Sequence, residues 1–184
     1  LENPQNIESQ VQIEDIEIWV VNRQNNFESS RNIVAIMDLG EAYGPDGEPN
    51  FIGDAMDLAP TNIYNSPASN ELNRIYSMIS PDPAVRNMST VDQAFQQRGN
   101  FFRVRDYETL ENARPLSSRE FTVNRQLGYI SLNSPLRNDE ILAVAFTYTY
   151  KGETKKVGEL SIDQESPKTL MVKLLKGTNQ TPAY

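Results

Sequence analysis

Four carboxylates, Asp38, Glu41, Asp46 and Glu48, fall close together in a stretch punctuated by Gly and Pro. Oxygen-rich loops of this kind bind calcium when carboxylates and carbonyls converge on one point. The spacing departs from an EF-hand, which needs an Asp-x-Asp-x-Asp-Gly run closed by a Glu. The stretch is therefore read as a solvated acidic loop, with no metal assigned to it. Paired carboxylates also serve glycoside hydrolysis, but nothing in the spacing selects one pair among 25 acidic residues.

The chain has no His and no Cys. That removes Ser–His and Cys–His catalysis, thiolate and imidazole metal sites, and disulfides. The nucleophile-elbow, phosphate-loop and dinucleotide fingerprints are missing as well. No catalytic residue and no cofactor is assigned, and the chain is expected not to be an enzyme. Trp19 with Tyr43, Tyr64 and Tyr76 are the aromatic candidates for stacking on sugar rings. They support a rival reading, a surface carbohydrate-binding or adhesion module. Trp19, however, falls in a run apolar on both faces, which places it in the core. Asn87-Met88-Ser89 and Asn179-Gln180-Thr181 match the glycosylation acceptor pattern, which is too short to carry weight.

The formal charge is −8, and the 17 basic residues are scattered, with Lys155-Lys156 the one adjacent lysine pair. A phosphate backbone needs clustered Lys and Arg, so nucleic acid is not expected as a partner. The opening Leu1-Glu2-Asn3-Pro4 shows neither a basic nor an apolar leader segment, and suggests a piece of a longer protein or a mature form. A length of 184 residues suits a single domain with a substantial core.

The element expected to anchor that domain is Ile141 to Tyr150, ILAVAFTYTY, whose β-branched and aromatic composition favours a strand. By the two-residue period, Leu142, Val144, Phe146, Tyr148 and Tyr150 share one face. The smaller Ala143 and Ala145 lie on the other, and the first half of the strand is expected to be covered on both sides. Lys151-Gly152 turns it back into Glu153 to Leu160 as a hairpin. Val11 to Asn22 predicts a long strand with a bulge at Glu14-Asp15, paired with a second strand over Asn32 to Leu39. Leu72, Ile75, Tyr76 and Ile79 keep helical spacing after Asn70 and before Ser80-Pro81-Asp82-Pro83. A second helix runs from Ser89 or Thr90 to Gly99, with Ser89 and Asp92 resembling a capping box. Phe101 to Arg105 predicts a short strand, and Tyr107 and Leu110 a helical turn before Pro115. Phe121 to Leu132 predicts a further hairpin, and Thr169 to Leu175 a last strand or short helix.

The sum is α+β: mainly antiparallel sheet, sandwich-like, with two or three short helices inserted after the second strand. Residues 1–10 are an entry linker, 11–176 one domain with the helical insertion at about 54–100, and 177–184 a polar tail. The central strand has the length of a membrane-barrel strand. Charges in VQIEDIEIWV and KKVGEL would meet lipid, however, so this piece is not expected to insert directly into a membrane.

Three pieces in order, IEDIEIWVVNR with RNIVAIMDLGE, then LGYISLNSPLRNDEILAVAFTYTYKGETKKVGEL, then TLMVKLLKG, resemble the SprA (Sov) family. These are the giant outer-membrane translocons of the type IX secretion system, associated with gliding motility. The specific parts are Trp19 to Arg23 and Ile141 to Tyr150; Pro45 to Arg98 carry none of the likeness. The resemblance implies an extramembrane module from the N-terminal half of such a chain, in the cell envelope and associated with the outer membrane. It implies no active site, and a structural role in exporting proteins to the cell surface. The implied partners are the parent's barrel and other modules, with secretion accessory proteins or cargo beside them.

Overall fold

The computed structural model describes residues 11–23, 27–41, 67–99, 101–125 and 127–178. Their elements run β1 (Val11–Val20), β2 (Arg31–Ile36), α1 (Ile75–Ile79), α2 (Val91–Gly99), β3 (Tyr107–Pro115), β4 (Phe121–Asn124), β5 (Tyr129–Leu132), β6 (Leu142–Tyr150), β7 (Glu153–Val157) and β8 (Leu170–Lys176). The described residues are mostly β with two short helices, as expected. The architecture is not a sandwich. One sheet runs β1-β3-β2-β8-β6-β7, and an additional β1–β6 pairing closes five of its strands into a barrel. The barrel is mixed, because β8 lies parallel to β2 while its other pairing, with β6, is antiparallel. β4 and β5 form a separate two-stranded ribbon.

Small side chains permit the closure. The barrel interior holds Ala35, Ala113, Ala143 and Ala145 between Trp19, Ile33, Leu110, Leu170, Val172 and Leu174. A five-stranded barrel is narrow, and alternating small and large residues fill its interior without voids. The small face of β6 therefore points inward and its large face points out. Gly158 has the same cause: a Cβ there would stand 3.1 Å from the Ala145 Cβ and 3.2 Å from the Met171 carbonyl oxygen, at a φ of +75°. The β6–β7 hairpin is as predicted, and both turn residues take positive φ (Lys151 51°, Gly152 84°), the geometry of a type I′ turn.

β1 carries its bulge between Ile13 and Ile16, where expected. Its neighbours are β6 and β3, however, and β2 lies between β3 and β8. The predicted β1–β2 pair does not form, because the long polar connection does not force adjacency and β3 takes the place between them. β3 itself falls where a helical turn was predicted. Glu111 and Asn112 oppose Asn32 alone, Asn112 adopts φ +52°, and its N–H binds the Asn32 side chain. That extra residue lets Leu110 and Ala113 both face the interior, so a bulged strand imitates helical spacing.

α1 and α2 lie within the predicted insertion. Ile75, Ile79, Val91, Ala94 and Phe95 pack on the outer side of Val34, Ile36 and Met171. The caps differ from expectation. Asn73, not Asn70, accepts from the Ile75 N–H, while Asn87 takes both the N–H and the hydroxyl of Ser89 in place of a Ser89–Asp92 box. Asp92 instead accepts from the Tyr107 hydroxyl at 2.9 Å. Phe101 to Arg105 is a turn with one isolated bridge, Arg103 to Tyr107, and not a strand.

Candidate binding cleft

The ribbon β4–β5 stacks over the outside of the barrel. Phe121, Val123, Ile130 and Leu132 alternate with the more exposed Thr122, Tyr129 and Ser131, the pattern of a strand pair with one sheltered face. Beneath it lies a cleft of about 430 Å³. Leu142, Val144 and Phe146 of β6 and Leu175 of β8 form its floor, and Val123, Ile130 and Leu132 its roof. Lys173 on β8 marks one side, binding the Met37 carbonyl and the Glu41 carboxylate. The lining is overwhelmingly apolar, and such a concavity takes apolar side chains in preference to charged ones. Leu175 and Tyr129 remain about half exposed, at 48% and 52%.

The ribbon is fixed on one flank. The Ile13 N–H donates to the Arg125 carbonyl at 3.2 Å, and the Arg125 guanidinium reaches the carbonyls of Ile13 and Glu14. β4 therefore runs on the β1 side, and β5 overhangs β6 and β8. At the far end Arg114 grips Glu120 through two nitrogens, at 2.8 and 2.9 Å. That hydrogen-bonded pairing, helped by the Ser117 N–H and hydroxyl, holds the Glu120 carboxyl at about 2.

Beside the helices, the outer surface of the barrel carries a buried ion pair. Glu159, 1% exposed at its side chain, receives two bonds from Arg86 (2.6 and 2.7 Å), one from the Tyr76 hydroxyl (2.8 Å) and one from the Met171 N–H (2.9 Å). Arg86 also donates to the carbonyls of Ser80 and Thr169. Burial opposes the Arg86 charge, but Glu159 more than offsets it and its pKa is raised. Burial, with the neighbouring Glu159 carboxylate, pushes the Tyr76 phenol up to about 12. Each member is satisfied by the chain itself, so the cluster locks the helices to β8. Spacing alone could not reveal it, since Arg86 and Glu159 are 73 positions apart.

Neither family models nor curated proteins match this chain.

The residues singled out from sequence are dispersed or engaged. Trp19, 1% exposed, lies inside the barrel, so it offers no platform for a sugar. The Tyr76 hydroxyl is committed to Glu159, and Tyr43 and Tyr64 lie outside the described residues. Of the acidic loop, Asp38 is buried and Glu41 pairs with Lys173, while one Asn73 amide nitrogen binds both their carbonyls. Asp46 and Glu48 lie outside the described residues, among which no group of three or more potential metal ligands converges. Asn87 serves the turn before α2, and Asn179 lies outside the described residues. Among the described residues no helix is long and apolar enough to cross a membrane. The ribbon and the large face of β6 were both legible in the sequence, but the cleft between them was not. It depends on which side of β6 faces outward.

Proposed function

We propose that this domain is a non-catalytic structural and interaction module of a giant outer-membrane translocon of the SprA (Sov) kind, serving type IX export of proteins to the cell surface. The use made of its buried charge supports the reading. Arg86 and Glu159 are spent on each other and on backbone groups, and Glu108 on the N–H and hydroxyl of Thr178. Side chains held in this way stiffen a scaffold, whereas a general acid or base must be free to exchange its proton. The cleft beneath the ribbon is apolar, suited to partner side chains. The translocon assignment itself rests on the sequence resemblance at Trp19 to Arg23 and Ile141 to Tyr150.

The test is in-frame removal of residues 11–178 from the parent chain in a bacterium that exports by this route. Cargo on intact cells is then measured by immunodetection, alongside parent protein in the outer membrane. Loss of surface cargo with the parent still in the membrane is expected. Unchanged export, or a parent reading frame of ordinary length without barrel strands, would end the reading.

A further inference from the structure

We propose that the outer edge of β5 is a docking site for an extended polypeptide segment of a partner, which adds to the ribbon as a third strand and lays alternate apolar side chains on the cleft floor. The proposal names the partner class for the interaction module and rests on that reading.

The register of the ribbon fixes which backbone groups are open. Asn133 donates to the Glu120 carbonyl at 2.8 Å, and the pairs beyond are Phe121–Leu132, Thr122–Ser131, Val123–Ile130 and Asn124–Tyr129. Hydrogen-bonded and non-bonded pairs alternate along an antiparallel ladder. Ser131 and Tyr129 therefore exchange bonds with β4, and Ile130 and Leu132 turn their N–H and C=O groups to the outer edge. Among the described residues no backbone group bonds to them there. The same two side chains roof the cleft, so the open donors and acceptors overhang the apolar floor.

A second strand edge shows what protection looks like in this molecule. On β7, Asn70 donates its N–H to the Lys156 carbonyl and exchanges two side-chain bonds with Gly158, and Glu153, Lys155 and Lys156 add charge. Tyr129-Ile130-Ser131-Leu132 has no charge and no Pro. Edges left in that state template the pairing of another chain. A two-stranded ribbon is also marginal by itself, and a third strand completes it. The spacing of backbone groups along an edge admits an extended polypeptide, and the apolar floor selects apolar residues at every second position. With the domain at −8, a neutral or basic segment is favoured over an acidic one.

The experiment follows amide hydrogen exchange by NMR in the 184-residue chain. The probe is a capped peptide of alternating Thr and Val with a Lys at each end. Ile130 and Leu132 amides are expected to exchange freely without peptide and about tenfold more slowly at saturation. Ile130→Pro removes an outward N–H without touching the β4 ladder, and should abolish the protection. The Ser131 amide, bonded to β4, reports whether the ribbon survives in that variant. Leu175→Lys, a change at a half-exposed floor position, should weaken peptide binding without unfolding the chain. Three results would overturn the proposal: Ile130 and Leu132 already protected in the free chain, no protection by the peptide, or undiminished binding to Ile130→Pro with the ribbon intact. If the edge fails while removal of the domain still stops export, only this inference falls. If the peptide docks while export is indifferent to the domain, only the translocon reading falls.

Discussion

The barrel face that meets the helices and the face that meets the ribbon are built from the same sheet, and β8 contributes to both. On the helical side Met171 is fully buried among Val34, Ile36, Phe95 and Tyr107, and Phe95 stacks on Tyr107 with ring centroids 4.4 Å apart. On the ribbon side Leu175 is half exposed, and a cleft remains between the layers. Helices that bring Ile75, Ile79, Val91 and Phe95, with the ion-pair lock beside them, complete a core, whereas a hairpin of two four-residue strands bringing alternate apolar residues leaves room. The first face therefore supplies stability, and the second is available for recognition.

The sharpest way to break that contrast is to damage the helical face. Phe95→Ala should lower unfolding free energy by about 3–5 kcal/mol in urea titrations, through lost transfer energy and a cavity. Arg86→Met should cost a similar amount, about 3–5 kcal/mol, because Glu159 would be left buried without its counter-charge. Pairing it with Glu159→Leu should recover most of the loss, which a double-mutant cycle measures. If either single change costs no more than a substitution on the ribbon face, the division of labour is wrong.

The two faces also separate by pH. Tyr76, on the helical face, has its pKa raised to about 12 from 10.0 by burial and Glu159. Its linked stability is fully present below pH 10 and is lost as pH rises through 12, so Tyr76→Phe should flatten that alkaline limb. Glu120, at the end of the ribbon, is depressed to about 2 from 4.5. Its contribution is present above pH 4.5 and is lost as pH falls through 2, and Glu120→Gln should remove that acid limb. Thermal unfolding across both ranges checks the two signs.

Smaller effects test the surface. Val104, a β-branched residue at φ +74°, bears strain that glycine would relieve, so Val104→Gly should stabilise by about 1 kcal/mol. Leu175→Ala, on the cleft floor, should change stability by no more than about 0.5 kcal/mol. A larger loss there would mean that the ribbon face is core after all.

Most elements could be read locally. The β6–β7 and β4–β5 hairpins, the β1 bulge and α2 were predicted close to where they occur, because turn chemistry and side-chain period act over a few residues. β3 was misread for an equally physical reason: its bulge at Asn112 places Leu110 and Ala113 three apart on one face. The lock at Arg86 and the cleft below β5 escaped detection because their parts lie far apart along the chain.

By itself the sequence determined that this is a strand-rich, acidic chain without imidazole or thiol, that Val144 and Phe146 share one face of β6, and that Ala143 and Ala145 share the other. Only the tertiary structure decided which face is inside. A barrel of five strands holds large side chains such as Trp19 and Leu170 only where small ones face them, so the alanines of β6 were turned inward and its larger residues outward to become the floor of a cleft.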